Sequence, residues 1–311
     1  MVQFSSAAPF LRVGTRGSPL ALAQAGEVRA RLAAALGCAP DEIDIRVIRT
    51  SGDKIQDRPL TEAGGKGLFT KEIEEALLAG EIDLAVHSAK DMPTILPDGL
   101  MLAACLERED PRDVFISRTA RTLDTLSRGA TLGTASLRRQ AIAKRARPDL
   151  DIVPLRGNVE TRLRKLDDGT MAATILALAG LKRLGIAERA TTIMSVEEFL
   201  PAVGQGAIAI ETRANDQRTR AAIAAIDHSD TSIAIAAERA FLAELDGSCK
   251  TPIAGHAVIS GTTIRFRGLI AKPDGSAAHD ISGTGARSDA VRIGADAGRE
   301  LRARGGPGFF E

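Results

Sequence analysis

The chain has 311 residues, 44% of them hydrophobic and 26% charged, which suits a globular protein of two domains or three small ones and excludes a disordered one. It carries 41 basic and 40 acidic side chains, a formal net charge of +1, with no Trp or Tyr; this argues against a nucleic-acid binder, which needs a basic excess or stacking aromatics. No apolar run reaches the ~18 residues of a membrane span, and Met1–Leu11 lacks the basic and apolar regions of a secretory signal, so a cytoplasmic location is expected.

The first stretch alternates strand and helix signals. Phe10–Val13 is a short apolar run, and Ser18 followed by Pro19 opens an amphipathic helix to Leu36, with Ser as N-cap and Pro at the first helical position. Ile43–Ile48 alternates like a strand, Gly64-Gly65-Lys66-Gly67 precedes a helical run from Leu68 to Leu78, and Ile82–Val86 is a further strand. Strand, turn and helix in rotation predict a largely parallel α/β sheet.

The middle repeats this plan. Thr131-Leu132 leads through Gly133-Thr134-Ala135-Ser136 into a helix ending near Arg147. Asp151–Leu155 reads as a strand, Val159–Leu166 as a helix and Met171–Leu176 as a strand. The echo between Gly14-Thr15…Ser18-Pro19-Leu20 and Gly133-Thr134…Ser136-Leu137 suggests two related α/β lobes. Pro201–Gly206 reads as a glycine-bearing crossover into a strand at Ala207–Glu211. A helix over Ser232–Leu245, strands at His256–Ser260 and Thr263–Ala271, and a helix near Asp289–Arg302 form a small α+β unit.

Several arginines stand where local rules do not want them. Arg138 and Arg139 fall in the first turn of the helix begun by Ser136, where the helix dipole favours acids. The expected compensation is a bound anion, held by free backbone N–H groups and guanidinium forks; the alternative is a solvated pair on a basic helix. The arrangement recurs: Arg16 precedes the Ser18 helix, Arg156 and Arg162 flank the start of the Val159 helix, and Arg183 follows the Met171 strand and its turn. Ligands of open α/β sheets sit beyond the carboxyl ends of the strands, where such loops converge. Arginine suits bidentate carboxylate recognition, so a small organic anion with several carboxylates or phosphates is expected in a cleft.

Gly64-Gly65-Lys66-Gly67 lacks P-loop spacing and reads as backbone that approaches a ligand, with Lys66 as counter-charge, or as a plain turn. His87-Ser88-Ala89-Lys90-Asp91-Met92-Pro93 follows a buried strand directly and resembles an active-site edge; there Asp91 is either functional or an ion-pair partner of Lys90, and His87 reads as a packed residue. The three cysteines are widely spaced and fit neither a disulfide framework nor a metal site. Cys105 lies in an apolar run, whereas Cys249 lies in a Gly-Ser loop beside Lys250 that permits exposure and a lowered thiol pKa.

Taken in order, Gly14–Ala21, Gly64–Phe69, Ala85–Pro93, Glu107–Asp113, Gly133–Gln140, Leu155–Arg162, Ala179–Gly185, Leu200–Ile210 and Gly247–Pro252 resemble the porphobilinogen deaminase (hydroxymethylbilane synthase) family. The resemblance implies two periplasmic-binding-protein-like α/β lobes plus a small C-terminal α+β domain. The first lobe would comprise residues 1–106 and 200–228, the second 107–199, and the third domain 229–311. It implies a transferase of tetrapyrrole biosynthesis that joins four porphobilinogen molecules head to tail into hydroxymethylbilane, losing ammonia at each addition. The implied cofactor is dipyrromethane, attached through a thioether to Cys249.

Carried over residue by residue, the resemblance makes Asp91 the catalytic carboxylate. It assigns Ser88, Lys90, Asp91, Thr134, Ser136, Arg138 and Arg139 to the cofactor beside Cys249, and Arg16, Ser18, Lys66, Arg156, Arg162, Arg183 and Gln205 to the substrate. Departures are modest: Glu62 stands where some relatives carry a lysine, and Lys250-Thr251 after the cysteine varies. A monomer that binds no metal, nucleic acid or membrane is expected. The rival reading is a two-lobe carboxylate-binding module without catalysis, against which stands the third unit with Cys249.

Overall fold

The computed structural model describes residues 10–54, 67–247 and 251–310. The first segment runs β1 (Leu11–Thr15), α1 (Pro19–Leu36), β2 (Ile43–Val47), α2 (Ser51–Lys54), α3 (Lys71–Leu78), β3 (Leu84–Ser88) and β4 (Leu100–Cys105). The second runs β5 (Asp113–Ser117), β6 (Thr131–Gly133), α4 (Leu137–Ala146), β7 (Asp151–Val153), α5 (Val159–Asp167), β8 (Ala173–Ala177), α6 (Leu178–Arg183) and β9 (Thr192–Ile193). Then follow β10 (Ile208–Arg213), α7 (Gln217–Ala224), α8 (Ser229–Glu244), β11 (Ile253–Ser260), β12 (Thr263–Ala271), β13 (Ala278–Ala286) and α9 (Ala290–Gly305).

Two five-stranded sheets have matching orders, β2-β1-β3-β10-β4 and β7-β6-β8-β5-β9. The echoed motifs occupy equivalent places, β1–α1 in one sheet and β6–α4 in the other. Neither sheet is largely parallel as the alternation of elements predicts. β1 is parallel to β2 and β3, but β10 runs antiparallel to both β3 and β4. In the second sheet β6 is parallel to β7 and β8, while β5 runs antiparallel to β8 and β9. The reason is connectivity: β5 leaves the first sheet to join the second, β10 makes the return, and each enters its new sheet against the local direction.

Local signals explain the elements that place the site. The Ser18 hydroxyl accepts from the Ala21 N–H, and Gly37 closes α1 in the left-handed conformation at φ +66°, as an N-cap and a C′ glycine do. Ser136 caps α4 in the same way, accepting from Arg139 N–H, and Asn158 caps α5. The helix expected from Leu68 starts later, at Lys71, because Gly67 at φ +81° begins a turn that runs to Thr70. Lys66 and the rest of its glycine cluster, Glu62, and Cys249 with Lys250 lie outside the described residues.

Each sheet has its own core. Leu11, Val13, Val28, Leu32, Leu84, Val86, Ile208 and Ile210 pack the first, and Phe115, Leu132, Ile142 and Ile175 one face of the second. β11, β12 and β13 form an antiparallel three-stranded sheet covered by α8 and α9, with Phe241 and Phe266 at its centre. β13 is not legible as a strand, since its sequence AHDISGTGA has little apolar alternation; Gly283 and Gly285 leave room there for Ile293 of α9.

This third unit grips the turn that carries Asp91. Arg239 on α8 donates to the carbonyls of Pro93 and Thr94 at 2.9 and 3.0 Å, and the Thr94 hydroxyl donates to the Gly247 carbonyl at 2.7 Å. Glu238, fully buried on α8, accepts from Arg108 and from the Gly204 and Ala257 N–H groups. Among the described residues no helix is long and apolar enough to cross a membrane.

Candidate functional site

The carboxyl ends of the parallel strands carry the expected residues. Arg16 follows β1, Lys90 and Asp91 follow β3, Thr134 and Ser136 follow β6, Arg156 follows β7, and α6 after β8 ends on Arg183. Backbone direction therefore brings together side chains that are far apart in sequence, as open α/β sheets do at their ligand sites.

Arg138 and Arg139 point inward, with only 4% and 5% of their surface exposed. The anion that answers them is Asp113, the first residue of β5. Its Oδ2 accepts from Arg138 Nη2 at 2.7 Å, and its Oδ1 from Arg139 Nη2 at 2.8 Å and Nε at 3.1 Å. Arg138 Nη1 also donates to the Leu200 carbonyl at 2.7 Å. The compensation expected from a bound anion is thus supplied, for these two helix-start cations, by a buried carboxylate that local sequence does not reveal. Burial by itself pushes the Asp113 carboxyl up, but the two guanidiniums hold it below the ordinary carboxylate range.

Gln205 continues the network. Its amide donates to the Pro111 carbonyl at 2.7 Å and to Asp113 Oδ1 at 3.1 Å, and its carbonyl oxygen lies 3.5 Å from Lys90 Nζ. Gly204 and Gly206, at φ +75° and +91°, let this crossover press against its neighbours: a Cβ at 204 would lie 2.9 Å from Lys90 N, and one at 206 would lie 2.3 Å from the Glu109 carbonyl.

Lys90, Arg138, Arg139, Arg156 and Arg162 share one field with Asp91 and Asp113, five cations against two carboxylates. Burial, then Arg139, lowers the Lys90 ammonium to about 8. Burial, then Arg139, likewise lowers Arg162 to about 10, with Asp91 opposing the shift. Arg162 Nε donates to the Gly157 carbonyl at 2.9 Å. Arg156 Nη1 and Arg138 Nε are buried with no hydrogen-bond partner among the described residues. Such an excess of buried positive charge favours an added anion.

Asp91 also borders a cavity in the first lobe, lined by Arg16, Ser18, Gln24, Phe69, His87 and Ser88 among others. Arg16 stacks over the Phe69 ring at 4.2 Å, a cation–π contact that orients the guanidinium. Gln24 and Ser88 exchange hydrogen bonds at 2.9 and 3.1 Å. Thr134 accepts from the Ser136 N–H at 3.1 Å. Arg183 is separate from the cluster: it meets Glu27 of α1 at 3.3 Å and the Gly206 carbonyl at 3.0 Å, joining elements of the two sheets. Burial holds Arg183 below the ordinary guanidinium value.

Residues 11–221 match the family model described as "Porphobilinogen deaminase, dipyromethane cofactor binding domain". Residues 232–303 match "Porphobilinogen deaminase, C-terminal domain". The chain belongs to the porphobilinogen deaminase family. Porphobilinogen deaminases of Nitrobacter hamburgensis and Nitrobacter winogradskyi are each 62% identical to it over 298 residues, which cover 96% of this chain and 94% of theirs. Among solved structures, a nutrient-binding protein from Burkholderia cenocepacia bound to methionine aligns at 15% identity with a TM-score of 0.42, over 69% of this chain and 90% of that one.

The family's dipyrromethane cofactor is an organic polycarboxylate, and the residues present fit such a group. The cation excess and the unpartnered nitrogens of Arg138 and Arg156 ask for carboxylates. Reasoning from sequence missed Asp113, Gln24, Phe69 and Glu27. Asp113 alone carried a signal, as an acid opening the apolar run Val114-Phe115-Ile116, where an unpaired charge would be costly.

Proposed function

We propose that this chain is the porphobilinogen deaminase of tetrapyrrole biosynthesis, with its chemistry at Asp91. The observation that carries this is the position of Asp91, which borders the Arg16–Ser88 cavity and shares a field with the five-cation cluster. Porphobilinogen bears an acetate and a propionate, so every added ring brings two carboxylates into this field. Ser88, Lys90, Thr134, Ser136, Arg138 and Arg139 hold the dipyrromethane, with Cys249 as its thioether anchor. Arg16, Ser18, Lys66, Arg156, Arg162, Arg183 and Gln205 serve the incoming and growing rings. The bound cofactor supplies the primer to which rings are added.

Loss of ammonia from the aminomethyl group leaves a cationic azafulvene-like ring. The Asp91 carboxylate, fixed on the turn after β3 and braced by Arg239 and Thr94, faces that developing charge without reorganising. The same carboxylate takes part in proton delivery and removal. The organisation we assign is a first lobe of residues 1–106 and 200–228, a second of 107–199, and a third domain of 229–311. It is supported by β10 joining the first sheet and by β5–β9 forming the second. We assign the working form as a cytoplasmic monomer that binds neither nucleic acid nor membrane; the balanced charge of the chain supports the part of this that concerns nucleic acid.

The test is intact mass of wild type beside Cys249→Ser, before and after incubation with porphobilinogen. A covalent adduct of two pyrrole units on wild type, absent from the variant, is the expected result. No adduct and no ammonia after incubation would leave a carboxylate-binding module in place of the enzyme.

A further inference from the structure

Behind the Asp91 cavity lies a set of ionisable groups that the mechanism above does not use. His87, on β3 and 5% exposed, contributes to the cavity wall. Its Nε2 lies 3.2 Å from Oε2 of Glu211 on β10, a carboxylate with no exposed surface. Glu74 of α3, 6% exposed, interacts electrostatically with both. One oxygen of each carboxylate, Glu211 Oε1 and Glu74 Oε1, is buried without a hydrogen-bond partner among the described residues, and the side chain of Thr70, another cavity residue, acts on the Glu74 carboxyl.

Burial pushes the Glu74 carboxyl up, with Glu211 and Glu75 adding to the shift and Thr70 and His87 opposing it. The surrounding charges are Glu75 on α3 and Arg239 on α8, which reaches Glu211, with Arg16 and Asp91 across the cavity. Arg239 is committed to the Pro93 and Thr94 carbonyls. Three titratable groups, two of them with an unpartnered oxygen, thus stand behind a polar cavity.

We propose that His87, Glu211 and Glu74 are a buried proton-holding array that serves the cavity, an inference that rests on the deaminase reading above. Each condensation breaks the C–N bond of one aminomethyl group and the C–H bond of the attacked ring carbon, and forms one C–C bond. The nitrogen, already protonated as the ammonium, leaves as ammonia with the C–N electron pair; the C–H pair returns to the ring and its hydrogen leaves as a proton to Asp91. His87 passes that proton into the array, so that Asp91 is ionised again before the next ring arrives, and the array releases it to solvent with the ammonia.

The experiment uses cofactor-loaded enzyme and compares wild type with His87→Gln, Glu211→Gln and Glu74→Gln. The readouts are the pH profile of kcat and the solvent deuterium isotope effect. Wild-type turnover of porphobilinogen tests the underlying reading by itself. Given that turnover, kcat should fall by about 10²-fold in His87→Gln, with KM nearly unchanged, a displaced acid limb and a larger isotope effect. Glu74→Gln is nearly isosteric and keeps the test valid if His87→Gln does not fold; it should displace the same limb. Unchanged kcat, or a uniform loss with wild-type pH profile and isotope effect, would overturn the array and leave these residues as packing.

Discussion

Asp113 and Arg138 meet at 2.7 Å in the interior of the second lobe, with less than a twentieth of either residue exposed. Arg139 shares the same carboxylate, so one acid on β5 fixes two cations on the first turn of α4. That turn is where the dipole disfavours positive charge, and the long-range pairing is what makes the placement tolerable.

Replacing Asp113 by Asn keeps the shape but leaves two guanidiniums without their carboxylate. Removing one partner of a buried pair costs about 3–5 kcal/mol, to be seen as a lower urea midpoint with unchanged slope. Because the folded pKa of Asp113 lies below its unfolded value near 3.8, its contribution is present above that unfolded value. It is lost as pH falls through the folded value. A loss under about 1 kcal/mol would mean that the arginines are not held by Asp113.

The Lys90 ammonium, lowered to about 8 by burial and then by Arg139, gives a pH signature. Its folded value lies below the unfolded 10.5, so the unfolded chain binds more protons between these values. The cost of burying the charge is therefore relieved as pH rises through that window. Anion binding runs the other way: carboxylate affinity falls as Lys90 loses its proton above pH 8. Loading of the apo-protein with dipyrromethane, followed by intact mass, should therefore need about tenfold more ligand at pH 9.5 than at pH 7.5, the equivalent of one charge-assisted hydrogen bond. Lys90→Met should need the higher amount at both pH values; an identical pH dependence in the variant would assign it to another group.

Gly206 sits at φ +91°, and a Cβ there would lie 2.3 Å from the Glu109 carbonyl. Gly206→Ala therefore combines backbone strain with overpacking against backbone, a cost of about 2–4 kcal/mol. Its own carbonyl accepts from Glu109 N–H and Arg183, so the displaced crossover should also weaken substrate binding. Denaturant unfolding and KM measured on one preparation check both, and a wild-type midpoint would remove the close-approach explanation for this glycine.

What the sequence determined by itself is what short range decides. Ser18-Pro19 starts α1 because a cap and a preset φ act within one turn, and Ser136 starts α4 by the same local bond. The arginines at strand ends were legible because they break a local rule, and the ordered motifs carried the family. The antiparallel course of β5 and β10 was not, since strand direction follows from which sheet the chain enters next. Nor was β13, whose polar, glycine-rich face is explained only by Ile293 of α9. The pairing of Asp113 with Arg138, Arg139 and Gln205, and that of His87 with Glu211, which lies 124 residues away, were decided by tertiary structure alone. Charge pairing in a buried site depends on distance in space, and a sequence records only distance along the chain.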